Sequence, residues 1–168
     1  MIGLPRVTPF FAGAAERVYA LRREALSWRG TPFRQGGRVK GPLGGIDCVG
    51  FVLACYAAAG FIAPGDVTVP PYDVDHYEHS DVSQLEEWFR APAVRARMPR
   101  RDEDDSRHTG DLVFIRHRRA VHHCGLWIEG LVWHTMRGHG VLAMRPETLA
   151  LGGAELRSHY RPVEAADA

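Results

Sequence analysis

The chain reads as one α+β domain spanning residues 1–168, with helices packed on an antiparallel sheet of five to six strands. Three observations predict this. Helical patterns occupy the first third of the chain, and short strand-like apolar runs begin at Gly110. Glu129-Gly130 separates two of those runs as a tight hairpin turn. Helices first and turn-linked strands afterwards is the α+β order. A length of 168 residues suits a single full core.

The elements follow in order. Residues 14–29 predict a helix with Val18, Leu21, Leu26 and Trp28 on its apolar side, facing Glu16, Arg17, Arg22, Arg23 and Glu24 across the axis. Gly30-Thr31-Pro32 ends it. Gly36-Gly37 and Gly41-Pro42-Leu43-Gly44-Gly45 mark a loop that leads to Asp47. An apolar run over 48–60 predicts a buried helix capped by Asp47. Residues 61–82 read as irregular, and Val82 to Phe89 as a short helix capped by Asp81 or Ser83. After Arg90 the chain is linker-like through His108, so 61–108 is an irregular insertion. Strands are expected over 111–116, 122–128, 131–136, 141–144 and 155–160.

Composition excludes several function classes. The net charge of +1 supplies no field for nucleic acid or an anionic membrane. No stretch reaches the roughly 18 apolar residues that span a bilayer. Three cysteines make no disulfide framework. Met1 to Arg17 lacks the layout of a secretion signal, so synthesis in the cytoplasm is expected, with something else carrying the protein outward. The run Arg95, Arg97, Arg100, Arg101, Asp102, Glu103, Asp104, Asp105 reads as a solvated loop or a docking surface.

Asp47-Cys48-Val49-Gly50-Phe51 carries the most chemistry. It places a cysteine in the first turn of a capped helix, where N–H groups and the helix dipole favour a thiolate. Such a thiol falls below its usual pKa of about 8.5 and becomes nucleophilic. The stretch alone fits a small buried core cysteine equally well.

The hairpin offers Cys48 a base. Along His122 to Ile128, alternation puts Cys124, Leu126 and Ile128 on the core face and His123, Gly125 and Trp127 on the other. His134 lies on the next strand, near His123. A helix-terminal cysteine against two histidines is a nucleophile, base and orienter layout. The first-turn N–H groups suit an oxyanion. Zinc is disfavoured, because neighbouring His122 and His123 should point to opposite faces and no spaced ligand motif occurs. Asp73, Asp75, His76 and His79 read as a polar loop rather than a ligand set.

These motifs together resemble a known family. Gly30-Thr31-Pro32-Phe33, Gly36-Gly37, Asp47 to Phe51, Gly110 to Phe114, His123 to Trp127 and Trp133-His134 are similar to the NlpC-type cysteine peptidases of bacterial cell walls. The resemblance covers roughly residues 14–162. It implies a papain-like fold and cleavage of peptidoglycan stem peptides without metal or organic cofactor. It implies Cys48 as nucleophile, His123 as general base and His134 as orienter, with Asp47, Phe33, Val49 and Trp127 near the substrate. Two positions depart from the pattern. Phe33 stands where the family commonly has tyrosine, and Val49 where it commonly has serine. The Arg34 to Gly41 stretch and the long insertion further resemble tail proteins of phages and gene transfer agents. That implies a particle-borne peptidase with tail hub or tip partners, acting in the periplasm or wall. A structural tail subunit with an unused site, and an acyltransferase or amidase on the same layout, are the competing readings.

Overall fold

The computed structural model describes residues 8–69, 83–102, 105–117 and 120–164. In chain order these form α1 (Ala15–Ser27), β1 (Arg38–Val39), β2 (Gly45–Ile46), α2 (Cys48–Ala58), α3 (Gln84–Phe89), α4 (Pro92–Arg97) and β3 (Arg100–Arg101). Then come β4 (Leu112–His117), β5 (Ala120–Ile128), β6 (Leu131–Met136), β7 (Gly140–Met144), α5 (Pro146–Leu151) and β8 (Ala154–Tyr160). β1 and β2 pair as a small ribbon, and the other six strands form one antiparallel sheet in the order β3-β8-β4-β5-β6-β7. The mixed α+β class and the six-stranded sheet agree with the sequence pattern. Among the described residues no helix is long and apolar enough to cross a membrane.

α1 buries Leu21, Ala25 and Trp28, with Val18 packed beside them. These positions follow the three- and four-residue spacing of one helix face. Leu26, expected on that face, is 49% exposed because it lies about 100° around the helix from Ala25. Glu24, expected in water, accepts a hydrogen bond from the Trp28 indole N–H at 2.8 Å. α2 is apolar on all sides and is correspondingly buried between α1 and the sheet. Its side chains meet Leu112, Phe114, Cys124 and Leu126 in the main core. Burying a side chain such as Phe51 or Phe114 contributes about 1.5–3 kcal/mol. A second apolar layer, Val113, Ile115, Val132 and Leu149, covers the sheet's other face.

The segment expected to be a linker contains structure. α3 forms where the short helix is expected before Arg90, whereas α4 and β3 lie in the linker-like stretch after it, each too short for periodicity to reveal. Ser83 caps α3, accepting from Glu86 N–H and donating to the Val121 carbonyl. Pro92 opens α4. Phe89 packs against Phe114 and Tyr160, which ties the segment to the sheet. Pro146–Leu151, also unanticipated, forms α5. Asp73, Asp75, His76, His79, Asp81, Val82, Glu103 and Asp104 lie outside the described residues.

The β5–β6 turn is as expected. Glu129 has φ 50° and Gly130 φ 82°, the two positive values of a type I′ turn whose twist matches a hairpin. Asp111 anchors the entrance to β4. Its carboxylate accepts from Arg161 Nε at 3.0 Å, Arg161 Nη2 at 2.9 Å and His108 N–H at 2.8 Å. This joins the chain's C-terminal strand to the loop before β4.

Candidate active site

The site begins with the loop that the glycines permit. Asp47, 1% exposed, accepts from Gly50 N–H and from Gly36 N–H, both at 2.6 Å. Arg38 Nη1 lies 3.3 Å from the same carboxylate. One side chain thus caps α2 and clamps the Gly36 turn to it. Cys48 is consequently the first residue of α2, held at the positive end of the helix dipole.

The sheet delivers the histidines by an irregularity. Ile115 pairs with His123 and Arg116 with Val121, leaving His122 as the extra residue of a bulge. The bulge breaks simple alternation, so His122 and His123 line the same cavity rather than opposite faces. β5 and β6 pair only from Leu126/Trp133 to Ile128/Leu131, although both strands extend further. In the unpaired part, His123 Nε2 and His134 Nδ1 meet at 2.8 Å. Gly125 permits this. A Cβ there would lie 2.6 Å from the Trp133 carbonyl oxygen and 3.0 Å from His134 Cβ. His134 Nε2 lies 3.2 Å from Met144 Sδ on β7.

Cys48 faces both Cys124 and His123. The Cys124 thiol hydrogen-bonds to Cys48 and, with the hydrogen bond and charge of His123, holds the Cys48 pKa well below the usual thiol range despite burial. Cys124 moves the opposite way, through its hydrogen bond to Cys48 and its burial. Burial pushes the Cys55 thiol up, so the second cysteine of α2 stays protonated. His134, 1% exposed, is pushed down to about 3 by burial and by the charge of His123, and is neutral at ordinary pH.

A cavity of about 300 Å³ opens on this group. Phe33, Cys48, His123 and His134 line it, together with His117, His122, Arg137 and Met144. Among the described residues Arg137 is the only side chain of permanent charge in its lining, and its guanidinium lies 5.6 Å from the Phe33 ring centre. Asp47, Val49 and Trp127 do not line it. Asp47 supports it from beneath. Val49 points into an apolar region with Val52, Trp88 and Leu112, and Trp127 packs under Arg107 on the sheet's other face. Among the described residues no group of three or more His, Cys, Asp or Glu is arranged to hold a metal.

Sequence reasoning assigned Cys124 to the core face. The same face receives the N-terminus of α2, so its thiol reaches Cys48. That signal was present in the alternation. Met144 and Arg137 were not legible, because they depend on the β6–β7 register, in which Val132 pairs with Met144.

Comparison with known proteins agrees with the fold. The sequence pattern of the NlpC/P60 family matches residues 30–149, which include Cys48, His123, His134 and Met144. Among solved structures, the Resuscitation Promoting Factor Interacting protein RipA, in a form mutated at one histidine, is similar at 18% identity and a TM-score of 0.53. It is matched over 95% of this chain and 67% of that one. A hypothetical invasion protein of Mycobacterium tuberculosis is similar at 18% identity and a TM-score of 0.52, over 96% of this chain and 67% of that one. At that identity the likeness is one of fold. Among curated proteins none matches the chain.

Proposed function

The chain belongs to the NlpC/P60 family, and on that premise we propose that it is a cysteine endopeptidase that cuts the stem peptides of peptidoglycan. The observation that supports this most is Cys48 at the N-terminus of α2, lowered in pKa and set against the His123–His134 pair at the floor of an open cavity.

In this reading the Cys48 thiolate attacks the scissile carbonyl carbon. The first-turn N–H groups of α2 receive the developing oxyanion. His123 Nε2 is engaged by His134, so Nδ1 is the nitrogen that exchanges a proton with Cys48. The imidazolium donates that proton to the leaving amine as the C–N bond breaks. Water then attacks the thioester, its proton passing to His123, and the carboxylic acid leaves as the thiol re-forms. His134 stays neutral and accepts the His123 Nε2–H, which orients the base. Arg137 at the cavity wall suits a carboxylate of the stem peptide.

Delivery by a phage-like tail belongs to the same proposal. Its support is the likeness of Arg34 to Gly41 to tail proteins of this type, and hub or tip subunits are the expected partners. A structural subunit with an unused site is the second reading. Phe33 and Val49 in place of polar residues, and a Cys48 only 3% exposed, favour it.

Digestion of purified peptidoglycan, with products read by mass spectrometry, tests the proposal. Wild type should release stem-peptide fragments and Cys48→Ala none, with His123→Ala losing more turnover than His134→Ala. Fragments released equally by Cys48→Ala would end the assignment. An unreactive wild-type Cys48 with no fragments would move the reading to the structural subunit, whereas a reactive one without fragments would point to a missing partner or a different substrate.

A further inference from the structure

The histidine pair ends on a thioether. His134 presents Nδ1 to His123 Nε2 at 2.8 Å and Nε2 to Met144 Sδ at 3.2 Å. A thioether sulfur carries lone pairs and no proton, so it accepts hydrogen bonds and never donates them. His134 is buried and neutral, and so has one ring proton to place. We propose that Met144 is a positioning residue that fixes the tautomers of both histidines, holding the His134 proton on Nε2 and thereby the His123 proton on Nε2.

The alternatives each leave lone pairs opposed. With the His134 proton on Nδ1, its Nε2 lone pair would face the sulfur lone pairs at 3.2 Å. The Nδ1–H would then donate to His123 Nε2, and the His123 proton would move to Nδ1. That nitrogen is the one left to face Cys48, so a neutral His123 would meet the thiol with a donor instead of a base. With Met144 accepting, every hydrogen in the chain has one direction. His134 Nε2–H donates to sulfur, His123 Nε2–H donates to His134 Nδ1, and His123 Nδ1 is free to take the Cys48 proton.

The fold supplies the geometry. In the antiparallel β6–β7 pair, His134 lies opposite Leu142 and Val132 opposite Met144. Met144 is therefore a diagonal neighbour of His134 on the same face, within reach of a long unbranched side chain. A thioether is also a weak, uncharged acceptor, where a carboxylate would favour a charged His134 and change the charge of the site. The inference deepens the peptidase reading and rests on it for its catalytic consequence, while the tautomer assignment stands by itself.

The test uses the full chain. Nitrogen-15 spectra of the histidine rings report which nitrogen carries each proton, and the rate of Cys48 alkylation by iodoacetamide reports thiolate formation without a peptide substrate. Wild type should show His134 protonated on Nε2. Met144→Leu, which keeps the bulk and loses the acceptor, should mix the tautomers and slow alkylation roughly two- to tenfold. Met144→Gln, whose amide oxygen accepts in the same place, should restore the rate to within about twofold of wild type. A wild-type His134 protonated on Nδ1 overturns the proposal, and so does a Met144→Leu protein that matches wild type in both readouts. If Met144→Leu does not fold, the wild-type spectrum and Met144→Gln decide. Failure of the peptidase reading looks different: the predicted tautomers and fast alkylation with no cleavage of wall peptides.

Discussion

Asp47→Ala should destabilise the whole protein, out of proportion to one surface-loop residue. The carboxylate is buried and accepts from two backbone N–H groups at 2.6 Å, Gly50 in α2 and Gly36 in the preceding turn. A hydrogen bond to a charged group contributes about 1.5–3 kcal/mol, and a lost N-cap alone costs about 1 kcal/mol. Arg38 adds little, because its side chain is 45% exposed and water screens the pair. The two bonds share one acceptor group and are not additive, so the expected loss is about 3 kcal/mol. For a domain of this size that is a fall in Tm of roughly 6–12 °C. Urea unfolding followed by circular dichroism measures it. Asp47→Asn, which keeps one acceptor oxygen, should lose about half as much. A loss below about 1 kcal/mol for Asp47→Ala would refute the view that this carboxylate holds loop and helix together.

Three other outcomes follow from the same geometry. Gly125→Ala should cost roughly 1–3 kcal/mol and slow Cys48 alkylation, since its Cβ would lie 2.6 Å from the Trp133 carbonyl oxygen and 3.0 Å from His134 Cβ, neither on a flexible arm; wild-type values for both would contradict the close approach. The His134 pKa falls from 6.5 to about 3 on folding, so the unfolded chain takes up a proton first as pH drops. Stability attributable to this group is complete above about pH 6.5 and lost progressively toward pH 3, about 2 kcal/mol of it between pH 8 and pH 5. His134→Gln should lack that share of the slope in urea midpoints taken at the two pH values, and an unchanged slope would count against it. Arg137→Met should raise KM for stem peptides bearing a free carboxylate and leave amidated ones nearly unchanged, read by steady-state cleavage of the two peptides; equal effects on both would remove Arg137 from substrate recognition.

The meeting of Cys48 with His123 and His134 was largely legible because most of its signals are local. An N-cap aspartate, a cysteine after it, a run of helix-forming apolar residues and a hairpin turn each act within a few positions of sequence. The departures have equally specific causes. Leu26 was misplaced because the apolar stripe of α1 was filled by a small residue, Ala25, that composition alone does not mark as core. α4, α5 and β3 span six residues or fewer, which is less than two helical turns, so no periodicity could announce them. That His122 lines the same cavity as His123 was not legible because a bulge, which adds one residue to one strand, cannot be seen in either strand's own alternation.

The amino-acid sequence by itself determined the α+β order, the capped helix that carries Cys48, the β5–β6 turn and the family. Each of these rests on spacing between near neighbours or on motifs in a fixed order. Only the tertiary structure decided that Cys124 shares the site with Cys48, that Arg137 and Met144 line its wall, and that Val49 and Trp127 turn away from it. Those facts depend on strand register, on where the pairing of β5 with β6 ends and on how α2 seats against the sheet. They are set by packing between segments far apart in the chain, whose free energies are summed over the whole core and written in no single stretch of it.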